Sequence, residues 1–336
     1  MLAAILGLSG LALTDDERAF IRDADPAGFA LFGRNVADRA QLRALTDSLR
    51  EISGRADLPI LVDQEGGRVA RLPQPEWPAF PAAWRFAELY DKAPISAIEA
   101  ARANGEAIGL LLAEAGINVD AAPVLDLRHE GAHDVIGDRA FGAEPMRVAA
   151  LGRAMLDGLE AAGVCGVIKH IPGHGRARAD SHKELPVVDA SEEELAADLA
   201  PFQALHAAPM AMTAHLLYTA WDADRPATLS PTIVGDIIRG RIGFDGLLMS
   251  DDIAMEALSG TLAERARGAT DAGCDVVLHC SGVLAESAEV AAAAGPINTA
   301  AAERLAIAMA RIGKVSKQTY TALAAKRDAL LAYANG

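Results

Sequence analysis

Short, continuously apolar runs recur along this chain, and a longer stretch of helical periodicity separates each from the next. The runs lie at residues 4–10, 28–33, 59–65, 117–123, 165–170, 210–215, 246–252 and 275–281, eight in all. A strand that is apolar without alternation must be covered on both faces, as in a parallel sheet flanked by helices. Helix-like stretches at 39–53, 95–115, 146–162, 192–207, 232–241 and 255–272 supply the cover. Gly116, Gly163 and Gly273 stand where a helix C-terminus favours a left-handed residue. Two architectures meet these demands: a closed (β/α)8 barrel and an open doubly wound sheet. The strand count, and the lack of a phosphate-binding glycine fingerprint in the first βα unit, favour the α/β barrel of the TIM type. No composition break or linker interrupts the chain. The expectation is one barrel domain over residues 1–336, with the Ala-rich 291–302 region in C-terminal helices.

Composition narrows the functional classes. The formal net charge is −15, and no Lys/Arg cluster is long enough to release counterions from a nucleic acid, so DNA and RNA are not expected partners. Met1 to Thr14 is apolar but lacks a basic leader, a plausible cleavage site and the length to cross a bilayer; it reads as the first core strand, with no membrane association. The cysteines, Cys165, Cys274 and Cys280, show no metal-like spacing. Buried free thiols in a reducing, cytoplasmic setting are the expectation.

The ends of the runs differ from their beginnings. Asp63-Gln64-Glu65, Lys169-His170, His215, Asp251-Asp252 and His279 all fall at strand ends, which in an α/β barrel open onto one face. Lys169 to Gly175 continues into Asp180-Ser181-His182 through two glycines and a proline, which excludes a helix. His170 and His174 therefore do not form the helical pair that a metal site needs, and no metal or cofactor is expected. Asp180 and His182, two apart, project the same way in an extended stretch, and a carboxylate beside an imidazole favours proton transfer. Of the adjacent Asp251 and Asp252, one should face the barrel mouth and the other cap the following helix. In Asp63 to Arg71, acids and arginines flank a Gly-Gly turn; they suit sugar hydroxyls or a substrate carboxylate, or equally a Glu65–Arg68 ion pair. Arg139 belongs to the same rim, whereas Trp77 suits packing better than a sugar platform.

Five segments occur together and in order: Asp63-Gln64-Glu65-Gly66-Gly67-Arg68-Val69, Ile136-Gly137-Asp138-Arg139, Lys169-His170-Ile171-Pro172-Gly173-His174-Gly175, Asp180-Ser181-His182 and Ser250-Asp251-Asp252-Ile253-Ala254-Met255. This set resembles the family 3 glycoside hydrolases, specifically the single-domain bacterial β-N-acetylhexosaminidases of peptidoglycan recycling. The Lys-His…Asp-x-His loop is its most specific part, since two-domain β-glucosidase members lack that dyad. The resemblance implies Asp251 as nucleophile and His182 with Asp180 as the acid/base pair. It places Asp63, Arg71, Arg139, Lys169, His170, Met212 and His215 around an N-acetylglucosamine ring. It implies a retaining exo-β-N-acetylglucosaminidase acting on anhydro-muropeptides; separately, no cofactor and a monomer are the expectation. Ile171 and Ile253-Ala254 depart from the usual Phe and Leu-Ser, away from any proposed catalytic atom. The alternatives are a β-glucosidase or β-xylosidase of the same family, and a catalytically silent sugar-binding barrel.

Overall fold

The computed structural model describes residues 1–181, 183–312 and 316–335. Eight parallel strands close into a barrel in chain order: β1 (Leu2–Gly7), β2 (Pro26–Leu31), β3 (Ile60–Val62), β4 (Val119–Asp120), β5 (Cys165–Ile171), β6 (Met210–Thr213), β7 (Leu247–Asp252) and β8 (Val276–His279). Closure rests on the pairing of β1 with β8, where Ala4 faces Val277 and Leu6 faces His279, which excludes the open sheet.

The side-chain period of two explains why the strands read as continuous apolar runs. Met210, Met212, Leu247, Met249, Val276 and Leu278 pack inside the barrel, while Ala211, Leu248 and Val277 between them pack against the outer helices. Helix Thr299–Ala310 adds Leu305, Ala308 and Met309 to the inner cluster. Nearby, at the N-terminal edge of the strands, Asp275 holds Arg239 at 2.7 Å and Arg304 at 3.0 Å and accepts the Leu248 N–H. That polar knot ties strands to helices at the face opposite the site. All three cysteines are free and buried.

Several boundaries differ from the sequence reading, each for a local reason. Regular pairing on β3 ends at Val62, because Gly66 and Gly67, at φ 98° and 57°, turn Gln64–Gly66 back onto Val69–Ala70 as a small antiparallel hairpin. The run at 117–123 keeps backbone bonds to its neighbours, but Pro123 has no N–H and regular pairing covers only Val119–Asp120. The helix expected over 255–272 begins at Leu262, where Thr261 and Glu264 form a reciprocal cap. Helix Asp15–Ala24, capped by Thr14 and Glu17, was absent from the reading. The Ala-rich 291–302 region divides between helices Leu284–Ala294 and Thr299–Ala310, parted at Gly295 and Pro296. Gly116, Gly163 and Gly273 do adopt positive φ, as the C-cap reading requires.

The loop after β5 lies against the backbone that follows β4. At Gly175 an added Cβ would stand 1.9 Å from the Leu127 carbonyl oxygen, so backbone touches backbone and no side chain fits. Gly175→Ala is therefore expected to cost about 1–3 kcal/mol through forced displacement of the loop. A drop in urea midpoint and in activity together checks this. Gly10→Ala, where nothing lies within 4 Å, is the matched control and should leave both unchanged.

Candidate active site

A cavity of about 320 Å³ opens where β3, β5, β7 and β8 end. Of the residues singled out above, Asp63, Arg71, Arg139, Lys169, His170, Met212 and Asp251 line it, together with Asp252, His174 and Ser181. Asp180 sits next to Ser181 on the loop after β5, half-buried, its carbonyl accepting the Lys183 and Glu184 N–H groups. His182 lies outside the described residues. Trp77 is buried in the core, as its packing reading requires.

The floor is an ion cluster. Lys169, 2% exposed, extends from β5 and places its ammonium 2.9 Å from Asp63 Oδ1 and 2.7 Å from Glu65 Oε1. Burial alone would lower the Lys169 pKa, but Asp63 and Glu65 outweigh it and raise it. Burial likewise pushes Asp63 and Glu65 up; Lys169 with Arg71 holds Asp63 below the ordinary carboxylate range, and Lys169 with Arg139 does the same for Glu65. Arg139 grips Glu65 with both prongs, at 2.8 and 2.7 Å, and donates to the Val135 carbonyl. Part of its fork is thus engaged by protein, although it lines the cavity. The Glu65–Arg68 pair suggested by the sequence does not form; Arg68 pairs with Asp138 at 3.0 Å. Arg71 reaches Asp63 at 3.3 Å, and its buried Nε has no hydrogen-bond partner among the described residues.

The adjacent acids at the end of β7 behave differently. Burial pushes Asp251 up, but the fields of His215, His170 and Lys169 and the Asp252 N–H hold it below the ordinary range. Burial and the Asp251 charge raise Asp252, against N–H donors from Ala254 and Cys280. Asp252 therefore ties the turn after β7 to the end of β8; it is not the cap of the following helix, which Thr261 provides. Two carboxylates pushed in opposite directions is the arrangement in which one stays an ionised nucleophile or stabiliser. His215 is not brought to the cavity wall. It is fully buried, its Nε2 donates to the Asp252 carbonyl, and its Nδ1 pairs with the Thr228 hydroxyl at 2.7 Å.

Two groups that shape the site, Asp126 and Asp120, were missed in the sequence, and a third, His174, was considered there only as a metal ligand. Asp126, fully buried beyond β4, accepts His170 N, His170 Nδ1 and His174 N at 3.2, 2.6 and 2.6 Å. Asp120 accepts Gln64 N with Oδ1, while Oδ2 has no partner among the described residues; burial, with Asp63 and Glu65 nearby, raises the Asp120 pKa to about 7. His174 is held neutral by burial and by His170, its pKa lowered to about 4. Asp120 ends β4 and Asp126 follows the apolar Val124-Leu125 beyond it; neither carries a recognisable spacing, so only the fold assigns them. The peptide Lys169–His170 is cis, which no residue type announced.

A model of the glycosyl hydrolase family 3 N terminal domain matches residues 3–315. The chain belongs to glycoside hydrolase family 3. As a family member it is a glycoside hydrolase, and proteins named beta-hexosaminidase are among its relatives. Those of Bordetella avium and Alkalilimnicola ehrlichii are 40% and 41% identical over 282 residues, covering 82% of this chain and 80% of each relative. NagZ from Neisseria gonorrhoeae, solved in complex with N-trifluoroacetyl-D-glucosamine, is 33% identical, with a TM-score of 0.84 over 99% of this chain and 96% of its own. A family 3 beta-N-acetylglucosaminidase from a Paenibacillus species is 32% identical, with a TM-score of 0.81 over 97% of this chain. This chain spans 61% of that longer protein. No described helix is long and apolar enough to cross a membrane.

Two buried groups should bend the stability–pH curve of this hydrolase in opposite senses. His174 titrates near 4 when folded and near 6.5 when unfolded, so the unfolded state takes up the proton first and stability falls as pH drops. At pH 5 that difference removes about 2 kcal/mol relative to pH 7. Asp120 titrates near 7 when folded and near 4 when unfolded, so its contribution is present at pH 5 and declines toward pH 7, by about 2 kcal/mol. Urea unfolding from pH 5 to 7 checks both. Relative to the native chain, stability should rise less with pH in His174→Gln and more in Asp120→Asn.

Proposed function

We propose that this glycoside hydrolase removes terminal, non-reducing β-linked N-acetylglucosamine with retention, from N-acetylglucosaminyl muropeptides of cell-wall recycling in the cytoplasm. The observation that carries the reading is the Asp251 carboxylate, held below the ordinary range at the wall of a cavity that closes over an ion cluster. The size suits a single sugar ring, hence exo action. The sugar preference is supported by relatives named beta-hexosaminidase and by the N-trifluoroacetyl-D-glucosamine in the Neisseria structure.

The mechanism is a double displacement. An oxygen of Asp251 attacks the anomeric carbon as the glycosidic bond breaks, and His182 protonates the departing oxygen, leaving a glycosyl ester on Asp251. Water then attacks the same carbon and yields its proton to His182; the ester bond breaks, the β-anomer leaves and Asp251 is restored. Asp180 orients the imidazole and raises its basicity. Asp63, Arg71, Lys169 and His170 offer charged partners to the sugar hydroxyls. Metal ions and cofactors have no part in this scheme, and a monomer suffices for it.

Release of nitrophenol from the β-N-acetylglucosaminide, run beside the β-glucoside, tests the reading. Preference for the first by about a hundredfold or more is expected; preference for the glucoside overturns the acetamido assignment, and turnover of neither supports a binding protein. Asp251→Asn should lower kcat by at least about a thousandfold while the fold survives. Near-native activity in that variant would move the nucleophile elsewhere. Asp180→Ala should lose more rate on substrates whose leaving group needs a proton than on activated ones.

A further inference from the structure

The mechanism requires an acid/base group delivered from a loop, yet a general acid must stand within hydrogen-bond reach of the leaving oxygen. The question is what fixes the turn that carries Asp180 and His182. The loop leaves β5 well anchored: Asp126 takes the backbone N–H of both His170 and His174, and Gly175 rests on the Leu127 carbonyl. Ala177 N donates to the His174 carbonyl, and His133 N donates to the Ala177 carbonyl. Beyond that point the chain rises to the surface. Arg178, Lys183 and Glu184 are exposed, and Ala179 and Asp180 are half-buried.

Ser181 breaks that trend. It is 3% exposed, the single buried residue among the described residues of 178–184, and it stands between the two members of the proposed acid/base pair. Its Oγ lies 3.2 Å from Nε2 of His174, which is equally buried. The His174 ring packs edge-on against His170 at 5.4 Å, and His170 is itself bound through Nδ1 to Asp126. A line of buried polar contacts thus runs from Asp126, beyond β4, through His174 to Ser181.

We propose that His174 is a positioning residue for catalysis, and that its bond to the Ser181 hydroxyl anchors the turn on which the proposed acid/base pair is carried. The proposal rests on the acid/base reading given above. His174 suits the task because burial and His170 keep it neutral above pH about 4. It therefore holds the same charge across the range in which a histidine acid/base works. A displacement of about 1 Å at a proton donor costs about a hundredfold in rate, so one lost anchor is enough to matter.

The test is kcat/KM across aryl β-N-acetylglucosaminides, from dinitrophenyl, whose leaving group needs no proton, to methylphenyl, whose leaving group does. Ser181→Ala and His174→Gln should lose about twentyfold or more on the methylphenyl substrate and under about threefold on the dinitrophenyl one. Added azide should raise kcat on the dinitrophenyl substrate, since it attacks the glycosyl ester without a general base. Ser181→Thr, which keeps the hydroxyl, should recover most of the methylphenyl rate. An equal loss on all substrates, or no loss in Ser181→Ala, overturns the proposal and leaves a packing role only. His182→Ala in the same series separates the two layers. A steep leaving-group dependence there with a flat one in Ser181→Ala refutes the latch alone, while a flat dependence in both refutes the acid/base reading with it.

Discussion

The ammonium of Lys169, buried at the end of β5 and shared between Asp63 and Glu65, is the interaction on which the site depends. Removing a charge from water is costly, and the cost is offset only where partners surround it with good geometry. Here Lys169, Arg71 and Arg139 face Asp63 and Glu65, so that no member of the cluster is left alone. Such a cluster is a poor way to stabilise a barrel compared with apolar packing of the same volume. It is a good way to hold charged atoms still at the bottom of a cavity. The opposite edge of the barrel has its own knot, Asp275 with Arg239 and Arg304, but that one lies outside the cavity at the strand ends and ties helices to strands. The two faces thus divide the work of chemistry and of stability.

The second constraint is the separation of two neighbouring acids. Asp251 and Asp252 are consecutive in sequence and both reach the cavity, yet their environments push them apart. Asp252 spends its carboxylate on N–H groups of the turn and of the β8 end, while burial and the Asp251 charge raise its pKa. His215 supports the arrangement from behind by holding the Asp252 carbonyl. The proposed nucleophile is thus set apart from its neighbour by hydrogen bonding, since Asp252 is engaged by two N–H groups.

Much of this was legible in the sequence, and the reasons are specific. Continuous apolar runs with glycine-terminated helices revealed the eight strands, because both faces of a barrel strand are covered. Polar strand ends revealed the rim, because barrel topology brings them together. What the sequence hid was partnership. Glu65 looked equally able to pair with Arg68, and only the course of the hairpin directs it to Arg139 and Lys169. Asp120 and Asp126 follow apolar runs without any motif that marks them, so their roles emerge only when β4 is set against β3 and β5. His215 read as a ligand-facing residue and proved to be a buried support, since the end of a strand does not reveal how deep its side chain lies.

The central claim is that Asp251, and not Asp252, forms the covalent bond to the sugar. A 5-fluoro N-acetylglucosaminyl fluoride slows release of the glycosyl ester, so that peptide mapping by mass spectrometry can locate the attached sugar. The account predicts a single adduct on the carboxylate of Asp251, lost on prolonged incubation as activity returns. An adduct on Asp252, or complete turnover with inverted anomeric configuration and no adduct, would contradict it.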